Sequence, residues 1–598
     1  MAKWIGKVES DQSEDDVSEI NTDVSDPDYE AEEISRNIAL DKLVEESEID
    51  WEQDCCAPLS RYSDEEEERE QGSTSSRGGG RGGGQPGVFT STPEERWNDV
   101  DVPDITPPQP TFAPNNPPGP QLDQTASYTV LELFQLFFTN SVLHTIVQNT
   151  NDYGPTRHST AGKPWIDLTL QDMFSYLSAI IYMGLVKCSA LTDYWRGGKL
   201  YSFLFTKQLM TGKKFILISR ALRLSSMADN EANKQKIGTE AFDCFSKIKP
   251  LYHEIREACK RNYHPDQEIA IDARTVYIGG RQYLKNEPVR GGYKVFVLVD
   301  SKSGYMWDFF VYEGKLQGSS GLGPGYESVM MLVDTPLLGT GYKLFVDHLY
   351  SSPALFLDLL HKKIWACGPI LTKRSGCPKK KANSLNSECA SGSIRWIRND
   401  PLLFVQWRDT KDVYLCSTFH TAHAQDTVQR RVKGADQRWV LIDIPVPPAV
   451  KEYHQCMGGV SLSDTRTGNY NLNRKTHSWH KGFFHYFLDI AMVNAYLLHT
   501  DIATGEGQVP LTQKAFRETL AEELAKAGCH TGRAKVPCAP PTAHHRLVHI
   551  SGDSTSGRLK CRHCGAKTPV KCSSCDMALC FVPKRDCYND WHAARNIK

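Results

Sequence analysis

Near the end of the chain, Cys561, Cys564, Cys572, Cys575, Cys580, Cys587 and His592 put seven metal-ligand side chains into 32 positions. The two Cys-x2-Cys pairs are zinc-knuckle spacings. Seven ligands fill one tetrahedral site and three places of a second, so the spacing predicts two structural Zn2+ ions. So short a segment buries little apolar surface, and the metal would supply most of its folding energy. The competing reading is a tail of free thiols. The chain has 18 cysteines, and its opening "MAKWIGKVESDQSEDD" lacks the apolar core of a signal peptide. No apolar run approaches the roughly 18 residues needed to span a bilayer. The expected setting is intracellular and reducing, with no membrane partner and with cysteines as thiols or ligands.

Charge divides the chain as well. Residues 1–125 hold 31 Asp and Glu against 9 Lys and Arg, a net of −22, while the rest holds 41 against 60, a net of +19. A basic body points to a polyanionic partner that an acidic arm can screen, although such arms also serve solubility alone. The arm runs from "DEEEERE" (64–70) through "RGGGRGGG" (77–84) to "PPQPTFAPNNPPGPQ" (107–121). Its low apolar content predicts disorder as far as residue 125. The Gly-rich stretch reads as a flexible spacer, with weak RNA contact as the alternative.

From Tyr128, "YTVLELFQLFFTNSVLHTIVQNTNDY" places apolar residues at helical spacing, and helical patterns continue to about residue 263. Within them, "MFSYLSAIIYMGLV" (173–186) fits a buried helix. The period then changes. "EIAIDARTVYI" (268–278), "YKVFVLVDS" (293–301), "YMWDFFVYEG" (305–314) and "YKLFVDHLY" (342–350) predict four strands, and "SSPALFLDLLHKK" (351–363) predicts a helix after the fourth. This order implies an α/β fold with a mixed sheet. Residues 372–440 open with the basic "TKRSGCPKKK" and then alternate like antiparallel strands, as a β-rich insertion would. "FFHYFLDIAMVNAYLLHT" (483–500) returns to helical periodicity.

Asp272 and Asp347 stand in or at the end of otherwise apolar strands. Burying a carboxylate is costly unless a cation compensates it or a strand end leaves it partly solvated. Two carboxylates on adjacent strands can hold Mg2+ for phosphoryl transfer. The stretch "MGGVSLSDT" (457–465) reads as a Gly-Gly turn and a helix start, with Ser461 as N-cap and Asp464 at the third helical position.

Five segments together resemble the piggyBac transposase family, in its order and spacing. They are the 264–315 stretch around "IDARTVYIGG", "YKLFVDHLYSSPALF", "ILTKRSGCPKK", "MGGVSLSDT" and "NRKTHSWHKGFFHYFLDIAMVNAYLL". The resemblance runs from about residue 128 to the C-terminus. It implies a ribonuclease H-like core in two parts, 266–371 and 441–470, interrupted by the β-rich insertion at 372–440. Helical dimerisation and DNA-binding segments would occupy 126–265 and 471–530. A linker at 531–555 would lead to a cross-brace zinc module at 556–598.

The resemblance also implies a cut-and-paste ancestry, with a homodimer acting on double-stranded DNA at terminal repeats and TTAA sites. The family's catalytic aspartates fall on Asp272, where the usual Asp-Glu reads Asp272-Ala273, on Asp347, and on a third position occupied here by Ser461. A neutral hydroxyl replaces an anionic ligand for a hard cation. Asp464, the outer carboxylate of the family motif, is kept, but three residues along a helix it stands roughly 5 Å away. Trp479 matches a tryptophan that stacks on DNA ends in the family, a core anchor being the other reading. Arg474, Lys475 and Lys481 suit phosphate contacts or plain surface charge, and Arg374 with Lys379, Lys380 and Lys381 suits a DNA backbone or a nuclear-import receptor, a solvated loop being the other reading. The resemblance points to His549 as the eighth zinc ligand, with His563 as competitor.

The resulting expectation is a nuclear, transposase-derived DNA-binding protein without catalytic competence. Two alternatives stay open. One is an active transposase using Mg2+ with Asp272, Asp347 and Asp464. The other is a chromatin or protein-interaction factor working through the zinc module and acidic arm.

Overall fold

The computed structural model describes residues 96–593, apart from 124, 159–164, 199–200, 202, 277–292, 314–320, 380–381, 387, 434–438, 473–477, 530–544, 551–557, 574 and 576. The described chain forms two compact units divided between Gly528 and Cys529.

The larger unit is built on one mixed sheet. Its strands in chain order are β1 (Glu268–Val276), β2 (Tyr293–Asp300), β3 (Met306–Val311), β4 (Tyr342–Val346), β5 (Ile364–Pro369), β6 (Ile394–Asn399), β7 (Leu402–Arg408) and β8 (Asp412–Ser417). They lie side by side in the order β6-β7-β8-β5-β4-β1-β2-β3. β1 to β3 form an antiparallel meander, and β1, β4 and β5 run parallel in the centre. All four strands expected before residue 350 are present. The stretch expected to form an insertion is joined to the sheet, because β8 pairs with β5 through Cys416↔Gly368. A further hairpin, β9 (Thr427–Lys433) and β10 (Trp439–Pro445), stands outside the sheet and runs past residue 440.

Helices cover the sheet. α1 (Val130–Gln135) starts at a Thr129–Glu132 capping box, and α2 spans Asn140–His158. α3 (Leu170–Leu185) starts at a second capping box, Thr169–Asp172, and is buried along most of its length. α4 spans Lys249–Asn262, and α5 (Pro353–His361) is capped by Ser352 just after β4. α6 (Pro448–Asn469), α7 (Trp479–Gly505) and α8 (Gln513–Ala527) follow the hairpin, and shorter helices such as Gly212–Ala221 and Pro324–Leu332 fill in between. α3 packs against α8, and the buried Ser178 hydroxyl donates to the Ala521 carbonyl at 2.7 Å. No helix among the described residues is long and apolar enough to cross a membrane.

Two expectations need correction. Residues 96–123 are ordered, against the disorder expected through residue 125. Trp97 is buried, Asn98 and Trp396 exchange backbone hydrogen bonds, and Arg398 and Asp104 form a nearly fully buried ion pair at 2.6 Å. Phe112 packs edge-on against Tyr342. Prolines already restrict this stretch in the unfolded chain, so fixing it costs less entropy than its composition suggests. The acidic and Gly-rich stretches up to residue 95 lie outside the described residues.

The second correction concerns 457–465. It is no helix start but the middle of α6, which begins at Pro447-Pro448, a favoured position for proline. The glycines mark close packing instead. A Cβ on Gly459 would stand 2.5 Å from the carbonyl oxygen of Ser301 in the β2–β3 turn.

The smaller unit contains β11 (Leu547–His549), paired antiparallel with β12 (Val570–Cys572), and α9 (Cys587–Ala593). Its core is small, centred on Leu579 and Trp591 beside cysteines.

Candidate functional site

The parallel register of β1 and β4 pairs Ile271 with Val346, so the next residues, Asp272 and Asp347, lie side by side at a spacing of roughly 4.8 Å between strands. Burial pushes the Asp272 carboxyl up to about 6. Its hydrogen bond from the Ala273 N–H opposes that shift, while the negative charges of Asp347 and Asp464 add to it. Asp347 contacts His348 Nδ1 at 2.7 Å. Tyr350 and Tyr453 also feel this pair: burial first, then the carboxylates, raises both phenols. The sequence therefore located two carboxylates that the fold does bring together.

The third position does not complete the group. Ser461 is exposed on α6, and its carbonyl accepts from Thr465 Oγ1 at 2.8 Å. The Asp464 carboxylate lies 2.5 Å from Nε of Arg274, whose side chain is 8% exposed. Burial raises the Asp464 carboxyl, and Arg274 works against that rise. Arg274 was not singled out from sequence, yet a signal existed: two positions after Asp272 on a strand, it shares that residue's face. Among the described residues, side chains close enough in threes or more to share one ion occur only in the smaller unit. Ser461 offers no charge and Asp464 is engaged by Arg274, so Asp272 and Asp347 are the two carboxylates that the sheet sets side by side.

The basic candidates divide. Arg374 donates through Nη2 to the His348 and Leu349 carbonyls at 3.3 and 2.8 Å, bracing the loop after Asp347. Lys379 is exposed, whereas Lys380, Lys381, Arg474 and Lys475 lie outside the described residues. Lys481 reaches the Arg220 carbonyl at 3.4 Å. Trp479 is 5% exposed and packs against Phe245, Tyr293 and Phe483, so it is a core anchor here rather than an open stacking platform.

The smaller unit holds two complete ligand sets. Cys561, Cys564, Cys580 and Cys587 form one; His545, Cys572, Cys575 and His592 form the other, with the ligand atoms of each within 4.8 Å of one another. Cys564 and Cys580 sulfurs stand 3.6 Å apart, near the edge of a tetrahedron with Zn–S bonds of about 2.3 Å. His545 Nδ1 lies 3.3 and 3.2 Å from the sulfurs of Cys572 and Cys575, and 3.2 Å from His592 Nε2. His592 Nδ1 faces the Tyr588 carbonyl at 2.6 Å, which fixes its proton there and leaves Nε2 for a metal. Burial resists ionisation of Cys561, but hydrogen bonds from the backbone of Cys564 and His563 bring its thiol down to about 6. Both sets fit Zn2+.

The eighth ligand position belongs to His545. His549 is exposed at the end of β11, opposite Val570 and two residues beyond the Cys572 pairing, roughly 7 Å away along the strand. His563 is exposed too. Because the two sets interleave along the chain, neither closes without the other's segment.

Comparison with known proteins agrees with this geometry. A family described as Transposase IS4 matches residues 129–496. The human PiggyBac transposable element-derived protein 2 is 25% identical over 444 residues, covering 72% of this chain and 70% of that protein. The human PiggyBac transposable element-derived protein 5 is 21% identical over 425 residues, covering 68% and 77%. The cryo-EM structure of a piggyBac transposase synaptic complex with hairpin DNA matches with a TM-score of 0.62 at 20% identity, over 78% of this chain and 98% of that one. The chain belongs to the Transposase IS4 family, among its piggyBac-type members.

Proposed function

We propose that this protein is a transposase-derived, nuclear, dimeric DNA-binding protein that does not cut DNA. The meander of β1–β3 with β4, α5 and β5 reads as a ribonuclease H-like core that keeps its architecture without its reaction. The observation that carries the proposal is the third ligand position. Ser461 offers no charge, and the Asp464 carboxylate is paired with Arg274. The net of +19 outside the acidic arm favours a polyanionic partner, and the DNA-bound structural relative points to duplex DNA. The two zinc-type ligand sets supply a rigid module whose surface is a second route to DNA.

Duplex binding measured across a salt series tests the first half of this reading. The affinity should fall steeply as salt rises, because each neutralised phosphate releases counterions. Absence of duplex binding at low salt would refute it. Incubating supercoiled DNA with Mg2+ or Mn2+ tests the second half, and no nicking above background is expected.

A further inference from the structure

The β9–β10 hairpin, which stands outside the main sheet, is anchored at its base. There Ile444 is buried, the Trp407 indole N–H donates to the Pro445 carbonyl at 2.9 Å, and Arg430 reaches Asp409 at 3.1 Å. Toward the tip, β10 emerges into solvent. Trp439, Val440, Leu441 and Ile442 are 65%, 49%, 56% and 40% exposed. Side chains alternate along a strand, so two of these lie on each face and both faces of the outer hairpin are open. A two-stranded ribbon of this kind is marginally stable in water. The four side chains expose roughly 400 Å2 of apolar surface, a size that marks interaction sites.

The two edges of the ribbon differ. β9 shows Gln429 and Arg431 to solvent, side chains of the kind that keep a strand edge from pairing. β10 has no such guard over residues 439–442, and among the described residues it pairs with β9 alone. Its single charged side chain is Asp443, so this edge offers no cation to a phosphate backbone. It suits an apolar strand instead, and β10 matches itself. A two-fold axis through Leu441 would set Val440 opposite Ile442 of the second copy and Leu441 opposite its own counterpart. The Trp439 indole, a donor, would stand opposite the second copy's Asp443 carboxylate, an acceptor. Two copies bring about 800 Å2 from these side chains, and the paired backbone carries the contact toward the ~1,200 Å2 at which specific interfaces begin.

We propose that β10 pairs edge to edge with β10 of a second copy, joining the two hairpins into a four-stranded sheet. This names an interface for the dimer read above, and it rests on that reading for the presence of the second copy.

The test uses full-length protein without DNA. Sedimentation equilibrium measures the dimer dissociation constant of wild type and of Leu441→Lys, with thermal unfolding as the fold control. Two lysines would face each other across the axis, so the variant should dimerise at least about tenfold more weakly. In parallel, Leu441→Cys is oxidised with copper phenanthroline beside wild type and Gln429→Cys, whose thiol lies on the guarded strand. Opposed Cα atoms in antiparallel strands stand about 4.5–5.5 Å apart, within disulfide reach. Leu441→Cys alone should therefore give a covalent dimer above the wild-type background.

A wild-type dimer that Leu441→Lys leaves unchanged would overturn the pairing and keep the dimer reading, the helical segments then holding the two copies together. Equal cross-linking through positions 429 and 441 would overturn the pairing as well. A wild type that stays monomeric at every concentration would overturn both readings and leave the β10 edge to a strand of another protein.

Discussion

Two regions of this molecule gather side chains of metal-ligand type, and they differ in how complete the set is. The smaller unit keeps eight ligands in two interleaved sets. The centre of the sheet keeps Asp272 and Asp347 but has serine at position 461, with Asp464 held by Arg274. The difference follows from what each metal does. A structural ion is part of the folding energy, so losing one ligand unfolds the segment. A catalytic ion contributes to rate rather than to the fold. The side chain at position 461 can change while Gly459 and Ser463 still seat α6 on the β2–β3 turn.

Breaking the zinc side should have the largest effect. Native mass spectrometry should find two zinc ions per chain. Cys572→Ser or His545→Ala should each remove at least one and unfold the module, since structural zinc supplies about 10–16 kcal/mol of apparent binding energy in small domains. His549→Ala should remove none. Loss of zinc from the His549 variant and not from the His545 variant would reverse the ligand assignment.

The sheet side should respond through packing rather than metal. Gly459→Ala drives a methyl into the Ser301 backbone and should cost about 1–3 kcal/mol in chemical denaturation. The adjacent Gly458 has open space around its Cβ position, so Gly458→Ala should gain up to about 1 kcal/mol through helix propensity. Matching effects at both positions would mean that α6 does not lie on the turn as described.

This pair also marks where the sequence was readable and where it was not. The central strands, the helix after β4 and the paired Asp272 and Asp347 follow from local periodicity and spacing. The Gly-Gly pair was misread as a turn because its cause is a tertiary contact with Ser301, some 160 positions away. The prolines at 107–121 look like disorder by composition, yet the neighbouring Trp97 and the Asp104–Arg398 pair tie the strap down. His545 was passed over for His549 because the choice depends on the β11–β12 register, which spacing alone does not reveal.

A smaller effect separates the retained carboxylates from a working centre. The Asp272 carboxyl sits at about 6 in the folded protein against an ordinary 3.8, so the fold favours its protonated form. That stability is present below about pH 4 and is lost as the pH rises through 6. Asp272→Asn should therefore match wild type near pH 4 and exceed it by about 1–2 kcal/mol at pH 7.5, after allowance for solvent screening. Thermal unfolding at the two pH values checks this, and a destabilising effect at pH 7.5 would mean that a cation or donor already compensates the charge.

The central claim is that a preserved transposase fold has lost its reaction at position 461. The most direct measurement is metal-dependent excision from a transposon-end donor by the wild-type protein, run beside Ser461→Asp, with Ala273→Glu as a control for the other departure from the family pattern. The account predicts no excision by wild type, and any recovered activity should require aspartate at 461. Robust wild-type excision would contradict it.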